Sequence, residues 1–229
     1  MRRMIASVVA VTLLLVAGLA AGSPTMPTAA AIPGTGTGTV FVDVPAGHPY
    51  GAAIENLRAA GIVSGYQIAP GVFAFHPDDP VWRAQFAKMI VGARHLPVDE
   101  SLVSPFTDLG TDDPGDLYPH EYVAAAFQAG ITDGTTPTTF GPFLPITRAQ
   151  LVTMIMRALY NDPSVSLPPV PTGFTGTLGM FDPVHGPTML HAESLGLLGG
   201  LQGFGPGWDP WAPATRGEVA QILYTMSMS

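Results

Sequence analysis

Apolar residues recur with helical spacing at three places along the chain, each time directly after an arginine. After Arg83, Arg148 and Arg216, apolar side chains occupy the third, sixth and seventh positions, which lie on one face of a helix. An aromatic residue stands eight positions before each arginine, and a proline follows that aromatic two places later. The pattern predicts three amphipathic helices, over residues 81–94, 147–160 and 215–227.

A shorter helical pattern precedes each of these helices and ends at a glycine. It predicts helices over residues 50–60, 119–129 and 187–195. A glycine ends each helix because it can adopt the left-handed conformation without steric penalty. A Phe-Asp or Phe-x-Asp sequence opens each copy of the pattern. The glycines and aspartates that recur as structural positions are Gly61, Gly130, Gly196, Asp43, Asp108 and Asp182.

The threefold repetition predicts the architecture of the chain. Two short helices cannot bury their apolar stripes alone, whereas three copies can bury them against one another. We therefore expect a mostly α protein in which three helix-loop-helix repeats pack as one pseudo-threefold helical domain. The expected boundaries are repeats at 40–100, 101–161 and 174–229, with a proline-rich linker at 162–173.

The N-terminal segment has the features of an export signal. Arg2 and Arg3 precede an apolar run over residues 5–21, and small residues then dominate. We predict a signal peptide over 1–31 and a Gly/Thr linker over 32–39, and hence a secreted protein. The alternative is that the apolar run anchors the chain in a membrane. No later stretch is long and apolar enough to span one.

Composition excludes several classes of function. The formal net charge is −8 and Lys88 is the single lysine, so the chain lacks a broad basic face for nucleic acid. Without cysteine it has no disulfide, thiolate metal site or cysteine nucleophile. The histidines show no metal-ligand spacing and none of the common catalytic motifs occurs. We therefore expect no metal, no cofactor, no catalytic residue and no enzyme activity.

The repeated motifs resemble those of the S-layer homology (SLH) module. The resemblance rests on Phe41-Val-Asp-Val-Pro45, on Ala60-Gly-Ile-Val-Ser-Gly65 and on Thr147-Arg-Ala-Gln150, and it covers about residues 40–229. It implies a helical assembly of three repeats with grooves between neighbours, located at the cell wall or cell surface. It also implies non-covalent attachment to an acidic, often pyruvylated, secondary cell-wall polysaccharide. The chain departs from the family tetrapeptide Thr-Arg-Ala-Glu, which reads Trp-Arg-Ala-Gln, Thr-Arg-Ala-Gln and Thr-Arg-Gly-Glu in the three copies.

The arginines are the candidate ligand-binding residues. Each stands in the first turn of a predicted helix, where free backbone amides favour an anion, and a guanidinium can hold a carboxylate through two hydrogen bonds. The resemblance carries the groove arginine of the family over to Arg83, Arg148 and Arg216. The alternative is a structural role, in which each arginine pairs with Asp43, Asp108 or Asp182.

Aromatic residues near these arginines are candidates for stacking on sugar rings. The residues chosen for this role are Tyr50, Trp82, Tyr118 and Trp211. A polysaccharide ligand is not the only partner that the sequence allows. A surface module that assembles with another protein is one alternative, and an envelope glycan hydrolase with paired carboxylates is another.

Overall fold

The computed structural model describes residues 40–113 and 115–228, which fall in one unit, Thr37–Ser229. The predicted signal peptide (1–31) and Gly/Thr linker (32–39) lie outside the described residues. Six helices and one two-stranded antiparallel sheet are present in the described part of the chain. The elements are α1 (Gly51–Ala59), β1 (Tyr66–Ala69), β2 (Val72–Ala74), α2 (Arg83–Ala93), α3 (His120–Gln128), α4 (Arg148–Tyr160), α5 (Gly186–Ser194) and α6 (Arg216–Ser227).

The six helices lie where the sequence pattern predicts them, and the protein is mostly α as expected. The hairpin formed by β1 and β2 was not predicted, because the residues between the glycine turn and the aromatic-x-Pro sequence show no clear alternation. The two helices that belong to each copy of the pattern lie in residues 40–100, 101–161 and 174–229, which we call the first, second and third segments.

The helix ends follow local rules of capping. The Thr147 hydroxyl accepts the Gln150 backbone N–H, and the Gln150 side chain accepts the Thr147 backbone N–H, both at 3.2 Å. Thr215 and Glu218 form the same reciprocal pair at the start of α6. At the C-terminal end of α1, Gly61 has a φ of 72°, and its backbone N–H donates to the Arg58 carbonyl, which ends the helix.

The helices pair in a cyclic order among the three segments. The second helix of each segment packs against the first helix of another: α2 against α3, α4 against α5, and α6 against α1. Apolar side chains from all six helices meet in one buried cluster, whose largest members include Phe75, Phe86 and Phe140. Apolar faces of the helices are therefore buried between segments.

A ring of three backbone hydrogen bonds joins the segments at the positions two residues before each arginine. Ile146 donates its N–H to the Val81 carbonyl at 2.8 Å, and Ala214 donates to the Ile146 carbonyl at 2.8 Å. Val81 completes the ring by donating to the Ala214 carbonyl at 3.0 Å. All three residues are fully buried. The start of each second helix is thus held by the other two segments.

Two of the three recurring aspartates tie the opening of a segment to its aromatic-x-Pro sequence. Asp43 accepts hydrogen bonds from the backbone N–H groups of Phe75 and His76, and Asp108 accepts from those of Phe140 and Gly141. The aspartate of the third segment does not make the corresponding contact. Asp182 instead accepts from Val184 and His185, at the start of α5.

Asp43 should make the stability of the fold depend on pH. Burial raises the pKa of Asp43, but hydrogen bonds from backbone N–H groups, those of Phe75 and His76 at 2.7 Å among them, act together with the charge of the nearby His76 to hold the pKa below its usual value. A carboxyl with a lowered folded pKa stabilises the fold above its unfolded pKa, and this contribution is lost as pH falls through the folded pKa. We expect Asp43→Asn to lower the free energy of unfolding at pH 7 by about 1–2 kcal/mol. In urea titrations this difference should shrink below about pH 4; a difference independent of pH would contradict the assignment.

The predicted proline-rich linker, residues 162–173, contains no helix or strand but does contact the core. Val165 and Leu167 pack against the buried cluster, and the Pro168 carbonyl accepts a hydrogen bond from His191. Asp162 forms an ion pair with Arg94 at the end of α2. Among the described residues, no helix has both the length and the apolar character needed to cross a bilayer.

Candidate functional site

Each of the three candidate arginines lies over the aromatic ring of an aromatic-x-Pro sequence in a different segment. The Arg83 guanidinium lies 4.7 Å from the centre of the Phe140 ring, and that of Arg216 lies 4.6 Å from the Phe75 ring. Arg148 lies 4.7 Å from the Trp208 ring. The aromatic before the proline therefore serves as a platform for an arginine that comes from another segment.

Besides lying over the Phe75 ring, Arg216 makes four further contacts with the first segment. Its Nε donates to the Phe75 carbonyl at 2.8 Å, and one terminal nitrogen donates to the Ser64 carbonyl at 2.9 Å. The other donates to the Tyr66 hydroxyl at 3.3 Å, and the Tyr66 ring stacks on the guanidinium. Burial lowers the pKa of Arg216, which is only 5% exposed. None of these acceptors is a carboxylate, so the positive charge is not neutralised by an ion pair.

Arg216 lines a cavity of about 290 Å³ that we call groove one. Its wall combines a second cation, Lys88, with aromatic side chains of the first and second segments, and none of the residues lining it is acidic. The Lys88 ammonium lies 5.6 Å from the centre of the Tyr118 ring, while Trp82 and Tyr66 are exposed. The full lining is Ile62, Val63, Ser64, Tyr66, Trp82, Gln85, Lys88, Met89, Tyr118 and Arg216.

Arg83 lines a second cavity, of about 270 Å³, which we call groove two. The Arg83 Nε donates to the Phe140 carbonyl at 2.8 Å, as Arg216 does to Phe75. Burial lowers the pKa of Arg83 to about 10, which still leaves it protonated at neutral pH. The lining of groove two is Arg83, Thr132, Asp133, Gly134, Thr135, Gln150, Thr153, Met154, Arg157, Val184 and His185.

Groove two is built from sequence positions equivalent to those of groove one, but it is more polar. Thr153 replaces Lys88, and the second cation, Arg157, is paired with Asp133 at 2.7 Å. The His185 ring and the Thr153 hydroxyl share a 2.7 Å hydrogen bond. Burial lowers the pKa of His185. Trp211 lies edge-on to the His185 ring at 5.6 Å and is exposed.

The third position, which we call groove three, is defined by Arg148 and by Glu218 at the start of α6, with Tyr50 and Gln202 beside them. Here the arginine is paired within the fold. Its Nε and one terminal nitrogen donate to the two carboxylate oxygens of Glu218, at 3.1 and 2.6 Å. Glu218 is only 3% exposed and occupies the position of Gln85 in groove one and of Gln150 in groove two.

An aromatic side chain of the first segment also fills groove three. Tyr50 is 7% exposed, and its hydroxyl accepts the Gln202 backbone N–H at 3.0 Å. A Cβ atom at Gly217 would lie 2.4 Å from the Tyr50 ring, so glycine is required at a position that is alanine in the first two segments. A ring buried in this way has no free face for a sugar, which corrects the expectation for Tyr50.

The predicted site residues thus separate into groups. Arg216, Trp82 and Tyr118 lie in groove one, while Arg83 lies in groove two with Trp211 beside it. Tyr50 and Arg148 are engaged in internal contacts. The expected alternative, pairing of the arginines with the recurring aspartates, is not seen: Arg148 pairs with Glu218 instead.

Sequence reasoning missed several groove residues. Lys88, Tyr66 and Arg157 line the open grooves, and Glu218 neutralises the third arginine. Lys88 carried a usable signal, because it is three residues after Gln85 and therefore on the same helix face. In the described ranges, 40–113 and 115–228, no cluster of side chains suited to a metal ion occurs.

Comparison with known proteins identifies the family of this fold. The model of the S-layer homology domain matches residues 40–87 and 105–152, which lie in the first two segments and include Arg83 and Arg148. Residues 40–87 and 105–152 of this chain therefore belong to the S-layer homology domain family, and the relatives that share this sequence are named as S-layer and cell-wall proteins.

The chain also resembles S-layer and cell-wall proteins, two of them over most of its length. It is 28% identical to the S-layer protein EA1 of Bacillus anthracis over 191 residues, and 30% identical to the S-layer protein of Bacillus licheniformis over 193 residues. Each alignment covers 83% of this chain and 20% of the relative. The middle cell wall protein of Brevibacillus brevis is 34% identical over 112 residues, 49% of this chain and 10% of that protein. The chain thus spans about a fifth or less of the length of these relatives.

Proposed function

We propose that this protein attaches non-covalently to the cell envelope by binding an acidic secondary cell-wall polysaccharide, such as a pyruvylated one, in grooves one and two. The observation that carries this proposal is the unneutralised Arg216 charge in a cavity that also contains Lys88 and three aromatic side chains. Attachment requires no chemistry, so we propose a binding protein that is not an enzyme.

The chemistry of groove one suits a sugar that bears a carboxylate. A carboxylate can accept hydrogen bonds from Arg216 and Lys88, and charge-assisted bonds of this kind are roughly twice as strong as neutral ones. Trp82, Tyr66 and Tyr118 provide apolar surfaces with polar edges, which suit the faces and hydroxyls of a pyranose ring. Groove two offers threonine hydroxyls and an Arg157–Asp133 pair, so it suits a more hydroxylated sugar unit.

Recognition in this proposal is local rather than long-range. The formal net charge of −8 repels an anionic polymer at a distance, so electrostatic steering cannot drive the encounter. The binding free energy must come from contacts inside the grooves. Binding should therefore depend strongly on individual groove cations and weakly on the total charge of the protein.

The cyclic pairing of helices and the ring of backbone hydrogen bonds support a pseudo-threefold arrangement of three SLH repeats, which we include in the proposal. The proposal also includes an N-terminal signal peptide that exports the chain. A surface assembly module would bury its arginines against acids, and only Arg148 does so among the three. For this reason we favour the polysaccharide, with a further surface protein as a cargo partner.

The proposal is tested by co-sedimentation of the purified protein with cell-wall sacculi from its source. We expect sedimentation with intact walls and its loss after the wall polysaccharide is stripped by acid. Equal sedimentation with intact and stripped walls, or none with either, would contradict polysaccharide binding and favour a protein partner.

A charge-matched pair of variants tests groove one directly. Lys88→Gln removes an exposed groove cation, and Arg58→Gln removes a surface cation on α1 that is paired with Glu55 away from the grooves. Since a hydrogen bond to a charged group contributes about 1.5–3 kcal/mol, Lys88→Gln should weaken wall binding by about tenfold or more. Arg58→Gln should leave the binding isotherm unchanged. Equal effects of the two variants would show that net charge, not the groove, governs binding.

A further inference from the structure

His185 places a titratable ring at a position where the first segment has a phenol. It is the residue directly before α5, as Tyr50 is the residue directly before α1, and each lies eleven residues before the glycine that follows its helix. The His185 ring is half-buried and lines groove two, whose wall also contains Arg83. The third segment therefore contributes to groove two a side chain whose charge depends on pH.

A chain of hydroxyl groups fixes which nitrogen of the neutral His185 ring carries the hydrogen. The Thr188 hydroxyl donates its single hydrogen to the His185 backbone carbonyl at 2.9 Å. The 2.9 Å bond between the two threonine hydroxyls must then be donated by Thr153. With both hydroxyl hydrogens used, the 2.7 Å bond between Thr153 and the ring must be donated by His185 Nδ1. The neutral ring therefore carries its hydrogen on Nδ1.

This tautomer leaves Nε2 as the ring nitrogen that a ligand can contact. Within residues 40–113 and 115–228, the hydrogen bond of the His185 ring is the one that Nδ1 makes with Thr153. A neutral ring presents a lone pair at Nε2, which can accept a sugar hydroxyl. A protonated ring presents an N–H group and a positive charge there, which suit a carboxylate. Because Nδ1 donates to the buried Thr153 hydroxyl in both states, protonation preserves the contact that holds the ring.

The charged groups around His185 keep the ring neutral at pH 7. Burial lowers the pKa of His185, the charge of Asp182 before α5 raises it, and the charge of Arg157 on α4 lowers it. Arg83 of α2 lines the same cavity, and Asp133 is paired with Arg157 at 2.7 Å. The ring therefore gains its charge in mildly acidic solution. An anion bound in the cavity would favour the protonated ring.

We infer that His185 is a specificity-determining residue of groove two, which contacts the ligand through Nε2 and strengthens the binding of acidic sugars in mildly acidic solution by donating to their carboxylate. This inference rests on the proposed function, because it concerns how one of the proposed grooves recognises its ligand. Neither a histidine nor a carboxylate lines groove one. The two grooves should therefore respond differently to pH.

The inference is tested by NMR titration of the purified protein at about pH 7 and about pH 5. The probe is a methyl hexopyranoside with a 4,6-linked pyruvate ketal, whose carboxylate is ionised at both pH values. The indole N–H signal of Trp82 reports binding in groove one. That of Trp211, whose ring lies 5.6 Å from the His185 ring, reports binding in groove two. One sample thus gives a separate dissociation constant for each groove.

We expect the dissociation constant reported by Trp211 to fall about tenfold between pH 7 and pH 5, as one added hydrogen bond between charged groups predicts. The constant reported by Trp82 should stay unchanged. Because binding and protonation are linked, the pH midpoint of the His185 ring signal should rise by about one pH unit when the probe is bound. A Trp211 constant independent of pH, an unmoved midpoint, or a probe response at Trp82 alone would each overturn the inference and leave the proposed function standing.

Two variants separate titration of His185 from a structural role. His185→Gln keeps a donor for Thr153 but cannot titrate, so the pH dependence reported by Trp211 should disappear. The matched control is His95→Asn. His95 is exposed beyond the end of α2, lines a different cavity and has a φ of 51°, which asparagine tolerates. This control should keep the full pH dependence, and the opposite result with either variant would overturn the inference.

Near-ultraviolet circular dichroism checks that each variant is folded. If His185→Gln does not fold, the ring signal of His185 in the wild-type protein carries the test. A wild-type protein that binds neither the probe nor the wall polysaccharide at either pH would overturn the proposed function, and the inference with it.

Discussion

Arg148→Met is expected to lower the free energy of unfolding by about 3 kcal/mol, because it removes the partly buried cation of an ion pair and leaves the buried carboxylate without it. Glu218 is 3% exposed and receives two of its hydrogen bonds from Arg148. Its carboxylate also accepts the Thr215 backbone N–H, which cannot balance a full negative charge. Urea unfolding at neutral pH, followed by circular dichroism, measures the loss.

Two controls separate the ion pair from a general loss of an arginine. Arg58→Met breaks an exposed pair with Glu55 and should cost at most about 1 kcal/mol. The double variant Arg148→Met/Glu218→Gln removes both charges and keeps an oxygen that can cap Thr215, so it should recover most of the stability. A double variant no more stable than Arg148→Met would show that Arg148 acts through its packing on Trp208 rather than through Glu218.

Gly134→Ala is expected to lower the free energy of unfolding by an amount on the order of 3–5 kcal/mol, because no space exists for a side chain at this turn. The residue has a φ of 82°, which disfavours any Cβ atom. A Cβ atom there would lie 2.4 Å from the Phe106 ring and 2.5 Å from the Thr139 carbonyl oxygen. The backbone oxygen cannot move without disturbing the hydrogen bonds that order residues 135–139, beside groove two.

Gly110→Ala is the matched control for the conformational part of this effect. Gly110 has a φ of 97°, and a Cβ atom added there would meet nothing within 4 Å. Its loss of stability should therefore be only about 1 kcal/mol, the part that comes from the left-handed backbone alone. If thermal unfolding gave equal losses for the two variants, steric contact at Gly134 would not be the cause.

The helices could be predicted from the sequence because their causes are local. The apolar spacing after each arginine, the threonine caps at Thr147 and Thr215, and the glycine at position 61 act within one or two turns of chain. A local signal of this kind is present in the sequence whatever the rest of the fold does. The hairpin at residues 66–74 lacked such a signal, since its four-residue first strand is exposed and shows no alternation of burial.

The grooves could be predicted only in part, because their walls come from residues far apart in the chain. The sequence indicated that arginines and aromatics are the binding residues, but position in a repeat does not say which neighbour an arginine meets. Arg216 lies over Phe75, 141 residues away, and Arg148 meets Glu218, 70 residues away. Three arginines that are equivalent in sequence therefore differ in charge environment.

The sequence by itself determined the helices, their caps, the glycine turns and the burial of their apolar faces against one another, since each follows from spacing along the chain. Only the tertiary structure decided that Arg83 and Arg216 line open grooves while Arg148 is neutralised. The physical reason is that an electrostatic interaction depends on distance in space and on burial, and both are set by how the segments pack. The sequence shows glycine in place of alanine at position 217 and glutamate in place of glutamine at position 218. The effect of these two differences could be understood only from the contacts of Gly217 with Tyr50 and of Glu218 with Arg148.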